Sequence, residues 1–251
     1  MPDDESDQIM DKIPDENYDD IFFEELNNFL YDIPNDINKL KSIPEFKREN
    51  LLFNLPDKII YATTDQKSIV KKIIINSQKE VEKVIETLTN EIINYDYISK
   101  KCPRFFCKFE GYLYDDETQN IYIKMENCGI DLFETYNKHT FTLSETKQHI
   151  GQILDIVKCL HDNNYVHMDI KPENFVYNGT SIKAIDAGSL IKIYNEYTND
   201  NTNEPFVYVY GTIGYISPDL NEKTIENNTN LKNADILFRE WYCGPRLPIK
   251  M

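Results

Sequence analysis

The sequence predicts an α+β fold in two lobes, in which a small lobe built on an antiparallel sheet precedes a mainly helical lobe. Three observations predict it. Short apolar runs separated by turn residues fill the first part of the domain, and amphipathic helical patterns dominate the next part. The chain also has 251 residues, of which 41% are hydrophobic. That length and composition allow two lobes with a real core and exclude a wholly disordered chain.

An acidic arm is expected before the domain, over residues 1–49. Residues 1–36 hold thirteen Asp or Glu side chains against one Lys. Apolar residues recur at helical spacing between Ile21 and Leu30, so the arm is expected to carry an amphipathic helix. This helix either packs on its own domain or docks a partner protein. The domain itself is expected over residues 50–251.

The small lobe is expected over about residues 50–125. Apolar runs separated by Pro56-Asp57 and by residues 64–67 predict an antiparallel meander. An apolar stripe at helical spacing over residues 78–99 then predicts an amphipathic helix. The predicted strands are Leu51–Leu55, Lys58–Ala62, Ile69–Ile75, Phe105–Tyr114 and Asn120–Met125.

The helical lobe is expected over about residues 129–251. Apolar residues recur at a period of three to four over residues 143–163, which predicts a long amphipathic helix. Thr142 and Ser144 are the two candidates for its N-cap.

Charge and cysteine content exclude several classes of protein. A formal net charge of −16 repels phosphate backbones, so nucleic acid is not an expected partner. No apolar run approaches the ~20 residues that span a bilayer, and no secretory signal precedes the domain. The cysteines fit neither a disulfide framework nor zinc knuckles, so reduced thiols and a cytoplasmic location (the host cytoplasm, if the gene is viral) are expected. The cysteines are Cys102, Cys107, Cys128, Cys159 and Cys243.

The residues that carry chemistry follow the predicted long helix. The first segment is His167-Met168-Asp169-Ile170-Lys171-Pro172-Glu173-Asn174, and Asp186-Ala187-Gly188 follows it. Phosphoryl transfer from ATP needs carboxylates that hold Mg²⁺ and one that orients the attacking hydroxyl. If these segments carry out this chemistry, Asp169 orients the attacking hydroxyl and Lys171 faces the transferred phosphate. Asn174 and Asp186 are the two metal ligands.

These segments resemble the motifs of the protein kinase family, H-R-D-x-K-x-x-N, D-F-G and A-P-E. The third corresponds to residues 211–219, which read Gly-Thr-Ile-Gly-Tyr-Ile-Ser-Pro-Asp. The resemblance implies a two-lobed kinase-like fold, ATP and Mg²⁺ as cofactors, and a protein substrate. Lys171-Pro172-Glu173-Asn174 and Thr212 are similar to the Ser/Thr form of these motifs.

The same resemblance implies further residues of the nucleotide site. The lysine of the third strand is expected at Lys71, with Lys72 as the alternative, and its ion-pair partner at Glu91. The hinge between the lobes is expected at Glu126-Asn127-Cys128, so Glu126 and Cys128 are expected to contact the nucleotide. Met125 precedes the hinge at the gatekeeper position.

Five departures from the family pattern bear on activity. The first glycine of the chain is Gly111, so the Gly-rich loop that normally covers the phosphates is absent near residues 52–59. Ile69 replaces a small residue two places before Lys71, and Ala187 replaces a phenylalanine, which leaves a gap unless neighbours fill it. Met168 replaces an arginine that binds a phosphate on the activation loop. The helical lobe is also expected to be incomplete, because a kinase usually continues through several helices after the position of Asp219, whereas this chain ends at Met251. The last thirteen residues have a foreign composition, which predicts either a frameshifted or truncated copy or a natural short variant.

Two functions follow from this pattern. The first is an active Ser/Thr protein kinase with Asp169 as catalytic base, which transfers the γ-phosphate of ATP to protein hydroxyls. The alternative is a pseudokinase that acts as a binding or scaffold module. The intact motif residues favour the first, and the missing glycines favour the second.

Overall fold

A computed structural model describes residues 33–74, 81–115, 117–118 and 120–193, without the side chains of residues 81–86. The predicted helix of the acidic arm, the segment at 211–219, Cys243 and the unusual C-terminal composition lie outside the described residues. The predicted incompleteness of the helical lobe lies outside them too.

A five-stranded antiparallel sheet forms the small lobe, in the order β1-β2-β3-β5-β4. It confirms the predicted meander and the two later strands, although the fourth strand begins at Phe109, four residues later than expected. Pro103 lies in the turn that delays it. The strands are β1 (Leu51–Asn54), β2 (Lys58–Ala62), β3 (Ser68–Ile74), β4 (Phe109–Asp115) and β5 (Asn120–Glu126).

Helix α1 (Val81–Lys101) packs its apolar face against this sheet. Leu88, Ile92, Tyr95 and Ile98 are buried, at the i, i+4, i+7 spacing that places side chains on one helical face. Their cluster continues into the second lobe, so one core joins the sheet and the helices.

The described part of the second lobe is built on helix α3 (Leu143–Asp162). Thr142 caps it in a capping box with Glu145, which decides between the two candidate caps. Two small sheets accompany it, β10–β7 and β6–β8–β9. The remaining elements are β6 (Ile130–Asp131), α2 (Leu132–Lys138), β7 (Tyr165–Val166), β8 (Phe175–Tyr177), β9 (Ile182–Ala184) and β10 (Ile191–Lys192).

Residues 33–46, here called the N-terminal strap, lie across the small lobe. The N–H of Leu40 donates to the carbonyl of Tyr112 at 2.8 Å, and the N–H of Tyr112 donates to the carbonyl of Asn38 at 3.1 Å. A Cβ on Gly111, whose φ is +145°, would lie 2.7 Å from that Asn38 oxygen. Glycine is therefore required where the strap crosses β4. The part of the expected arm from Ile33 onward is thus integrated with the lobe.

The strap also covers the sheet face that points away from α1. Tyr61 and Val70 are almost completely buried on this face, together with Tyr122. The ring of Phe46 packs edge-on against Tyr61 at 5.1 Å between centroids, and the Tyr61 hydroxyl donates to the carbonyl of Pro44 at 2.8 Å. The strap therefore replaces solvent over an apolar surface.

The cysteines differ from the expectation of reduced thiols. The structure pairs Cys102 with Cys159 and Cys107 with Cys128 as disulfides, with Cα–Cα separations of 6.3 and 6.0 Å. These separations lie within the range that a disulfide bridges. The pairing brings together residues 57 and 21 positions apart, a proximity that the spacing in the sequence does not encode.

Candidate active site

The catalytic-loop segment folds into a closed cluster around Asp169. Lys171 Nζ lies 2.7 Å from Asp169 Oδ2 in an ion pair whose side chains are 20% and 12% exposed. The amide nitrogen of Asn174 donates to Asp169 Oδ2 at 3.0 Å and to the Asp169 carbonyl at 2.7 Å. A 3-10 turn over Pro172–Asn174 makes this return possible, because it brings Asn174 back toward Asp169. Three of the predicted site residues therefore meet.

Met168 precedes Asp169 in a backbone conformation that is uncommon for a residue with a side chain. Its φ is +63° and its side chain is buried. Such left-handed residues persist where the surrounding structure holds them, and they concentrate at functional sites. A buried thioether provides no cation for a phosphate. That Met168 does not bind a phosphorylated loop stays a prediction.

The segment that begins at Asp186 is held by hydrogen bonds. The N–H of Gly188 donates to Asp186 Oδ1 at 2.9 Å, and the Asn94 side chain on α1 donates to the carbonyl of Leu190 at 3.0 Å. Strand β10 then pairs with β7 next to the catalytic loop. Ala187 is fully buried in the main core, so neighbouring residues surround the position that phenylalanine would occupy.

Lys71 on β3 forms an ion pair with Glu91 on α1. Its Nζ lies 2.6 Å from Glu91 Oε1 and 2.8 Å from Oε2, and the two side chains are 16% and 7% exposed. Lys72 points to the other face of the sheet, where its Nζ lies 5.7 Å from the centre of the Tyr122 ring. Alternate strand residues point to opposite faces, so only Lys71 can reach α1.

Lys71, Glu91 and Asp186 form a second charged cluster. Burial alone would lower the pKa of Lys71, but the carboxylates of Glu91 and Asp186 outweigh it and raise that pKa. Burial acts to raise the pKa of Asp186, whereas the Lys71 charge and the Gly188 N–H hold it below its usual range. Lys71 and Asp186 are therefore both in their ionised forms at neutral pH.

One hydrogen bond joins the two clusters. The N–H of Ile185 donates to the carbonyl of Asn174 at 3.1 Å. It connects the residue before Asp186 to the last residue of the catalytic-loop turn. The metal-ligand candidates Asn174 and Asp186 are thus fixed relative to each other through the backbone.

The predicted hinge begins at the end of β5. Glu126 Oε2 accepts from Lys183 Nζ and from the N–H of Lys108, each at 3.1 Å. Burial would raise the pKa of Glu126, but these two donors hold it below its usual range. Cys128 is tied to Cys107. A cavity of about 830 Å³ adjoins the hinge, but Lys71, Asp169 and Asp186 do not line it. It is therefore not the space enclosed by the charged clusters.

A short hairpin takes the place of the glycine-rich loop. Leu55 and Lys58 exchange backbone hydrogen bonds of 2.8 and 3.3 Å across Pro56-Asp57, which closes a two-residue turn between β1 and β2. The carbonyl of Asp57 accepts from the N–H of Ile74 at 2.9 Å, which ties the turn to β3. Pro56-Asp57 is the turn that the sequence predicts between the first two strands, and the structure confirms it.

Comparison with known families agrees with this geometry. A family model described as "Protein kinase domain" matches residues 57–238, well over half of the chain. The chain belongs to the protein kinase family. The kinase match covers β2 and everything after it in the described structure, and it leaves out the strap and β1.

Curated relatives of this kinase-family chain are distant. It is 26% identical over 215 residues to "Calcium-dependent protein kinase 5" of Plasmodium berghei (strain Anka), and this aligned region covers 83% of the chain and 35% of the relative. It is 27% identical over 188 residues to "CDPK-related kinase 8" of Arabidopsis thaliana, covering 71% and 29%. It is 27% identical over 163 residues to "Dual specificity protein kinase TTK" of Mus musculus, covering 64% and 18%. The chain thus spans about a third or less of these relatives.

Proposed function

We propose that the chain is an ATP- and Mg²⁺-dependent protein kinase of the Ser/Thr class, with Asp169 as its catalytic base. Asp169 accepts the proton of the attacking hydroxyl and orients it, and Lys171 faces the transferred phosphate. Lys71, held by Glu91, binds phosphate oxygens of the nucleotide. Glu126 and Cys128 contact the nucleotide at the hinge.

The observation that carries this proposal is the pair of joined clusters. Lys171 and Asn174 fix the Asp169 carboxylate at 2.7 and 3.0 Å, and Lys71 is fixed by two bonds to Glu91. Phosphoryl transfer is catalysed mainly by positioning and by charge stabilisation, and both are provided by preorganised groups such as these.

The residues present fit Mg²⁺. The amide nitrogen of Asn174 is used by Asp169, which leaves the amide oxygen as a ligand atom. The Asp186 carboxylate is ionised and provides a second oxygen. Mg²⁺ bound there would neutralise phosphate charge, and it commonly takes only one or two protein carboxylates beside phosphate oxygens and water. Among the described residues, the structure holds no group of three or more His, Cys, Asp or Glu placed to bind a metal ion.

A pseudokinase is the second candidate, and the hairpin is the observation that favours it. Pro56 has no N–H and Asp57 adds a negative charge where phosphate would approach. A module of this kind would keep the fold and bind partners with little or no turnover.

Partners and location follow from the proposed activity and from composition. Protein hydroxyls are the proposed substrate, and the acidic arm before residue 33 is proposed to engage a partner protein. No nucleic acid or membrane partner is proposed, and the proposed location is the cytoplasm, although the two cysteine pairs remove the argument from reduced thiols. In the part of the chain that the structure describes, no helix has the length and apolar character needed to cross a bilayer.

Two measurements test the proposal. The first is ATP binding with and without Mg²⁺, and the second is transfer of labelled phosphate to a generic basic protein on serine and threonine. Mg²⁺-dependent binding followed by transfer supports the kinase. Folded protein that gives no transfer above the level of the Asp169→Asn variant supports the pseudokinase, whether or not it binds ATP, and absence of ATP binding refutes the kinase.

A further inference from the structure

Lys58 lies at the start of β2, directly after the short hairpin turn. In the β2–β3 ladder Lys58 lies opposite Ile73, and Ile60 lies opposite Lys71. Side chains of opposed residues share a face, as do residues two apart on one strand. Lys58 therefore lies on the same sheet face as Lys71, the face that packs toward α1.

The charge of Lys58 reaches the Lys71, Glu91 and Asp186 cluster. Lys58 is one of the positive charges that act on the carboxylates of Glu91 and Asp186. The Lys58 side chain is only half-buried, whereas Glu91 is 5% exposed. Lys58 is thus a second cation on the sheet face that carries the charged cluster, and it lies next to the hairpin turn.

The hairpin itself offers few backbone donors to a phosphate. The amides of Leu55 and Lys58 donate to each other's carbonyls, and Pro56 between them has no N–H. Phosphate that lies beneath this turn needs positive charge or N–H groups from elsewhere. Among the residues of β2, Lys58 is the cation that the strand register places nearest to such a phosphate.

We propose that Lys58 is a nucleotide-binding residue, which contacts phosphate oxygens in place of the missing glycine-loop amides. It acts beside Lys71, whose ammonium group is already engaged by Glu91. This inference rests on the proposed function, because it requires that the cleft binds a nucleotide. It predicts that the affinity for a nucleotide depends on its phosphates, because two lysines on one sheet face bind them.

The test compares dissociation constants for ATP, ADP and adenosine in the full chain and its variants. In Lys58→Ala, ATP and ADP are expected to bind at least about tenfold more weakly, and adenosine within about twofold of the parent chain. Lys58→Arg keeps the charge and is expected to retain most of the ATP affinity. Lys72→Ala removes a lysine from the opposite face and is the matched control, with unchanged binding of all three ligands.

The outcomes separate this inference from the proposed function. If the parent chain does not bind ATP, both fail. If it binds ATP and Lys58→Ala binds ATP equally well, the inference fails and the proposed function stands. An equal loss for ATP and adenosine would show that Lys58 only supports the fold, and would also overturn the inference. If Lys58→Ala does not fold, Lys58→Gln, which keeps much of the side-chain length without the charge, is measured with the same criteria.

Discussion

The two sides of the candidate cleft differ in how closely they follow the kinase pattern. On the helical-lobe side, Asp169, Lys171 and Asn174 follow the family motif and close into a bonded cluster. On the sheet side, a two-residue turn with Pro56 and Asp57 takes the place of a glycine-rich loop.

Under the proposed kinase function, the two sides have different requirements. Orienting a hydroxyl demands one carboxylate at one position, and few residue types can replace it. Covering phosphates demands only donors or positive charge, which backbone amides or a lysine can both supply. A protein can therefore change the hairpin while it keeps the catalytic loop, and the four predictions below test this interpretation.

The largest effect is expected from Asp169→Asn. Loss of the proposed base should lower the rate of phosphate transfer about 100- to 10,000-fold, while ATP affinity and the melting temperature stay near those of the parent chain. Transfer of labelled phosphate, ATP titration and thermal unfolding are the measurements. Residual activity close to that of the parent would mean that Asp169 is not the base.

Asp186→Ala should remove most of the Mg²⁺-dependent stabilisation by ATP. The proposed metal ligand is lost, so ATP should raise the melting temperature to nearly the same extent with and without Mg²⁺. Thermal unfolding in matched ATP series checks this result. Glu173→Ala, at an exposed position on the catalytic-loop turn, serves as the control and should keep the Mg²⁺ effect. A full Mg²⁺-dependent shift in Asp186→Ala would contradict the metal assignment.

Glu91→Gln tests the ion pair that joins the sheet to α1. It leaves Lys71 buried without its charged partner, so the free energy of unfolding should fall by about 3 kcal/mol, the lower end of the range for a broken buried pair. Glu134→Gln removes the same charge from a pair that is about half exposed, with Lys138, and should cost about 0.5 kcal/mol or less. Denaturant titration measures both values, and equal losses would contradict the difference in burial.

The smallest effect is expected from Asp57→Asn in the hairpin. Removing a negative charge that acts on Lys71 should strengthen ATP binding by only a few fold, because Asp57 is exposed and solvent screens its charge. Adenosine affinity should not change, and added salt should reduce the gain. Competition binding at two ionic strengths measures it, and weaker ATP binding in the variant would show that Asp57 supports the hairpin instead.

The sequence predicted the elements and the catalytic loop because both depend on local patterns. Period-two and period-three-to-four spacing locates strands and helices, and the catalytic-loop residues lie within eight positions of one another. Thr142 and Ser144 could not be separated as caps, because both are good N-cap residues and only the capping-box geometry distinguishes them.

Features that depend on distant parts of the chain were not predictable in the same way. Lys71 and Lys72 are adjacent, and only the pairing of β3 with its neighbours shows which one faces α1. The strap contacts strands more than sixty residues later in the chain, at Tyr112. The Cys102–Cys159 pairing likewise appears only once the lobes are packed together. Lys58 could have been found from the period of β2, since it shares a face with Ile60 opposite Lys71.

The strap bears on where a recombinant fragment of this domain should begin. The family match begins at residue 57, so a recombinant fragment designed on that boundary would omit Pro44, Phe46 and β1. It would lay bare the apolar sheet face around Tyr61 and Val70 and leave β2 as an open edge. Such surfaces promote aggregation. A soluble fragment should therefore begin at or before Ile33.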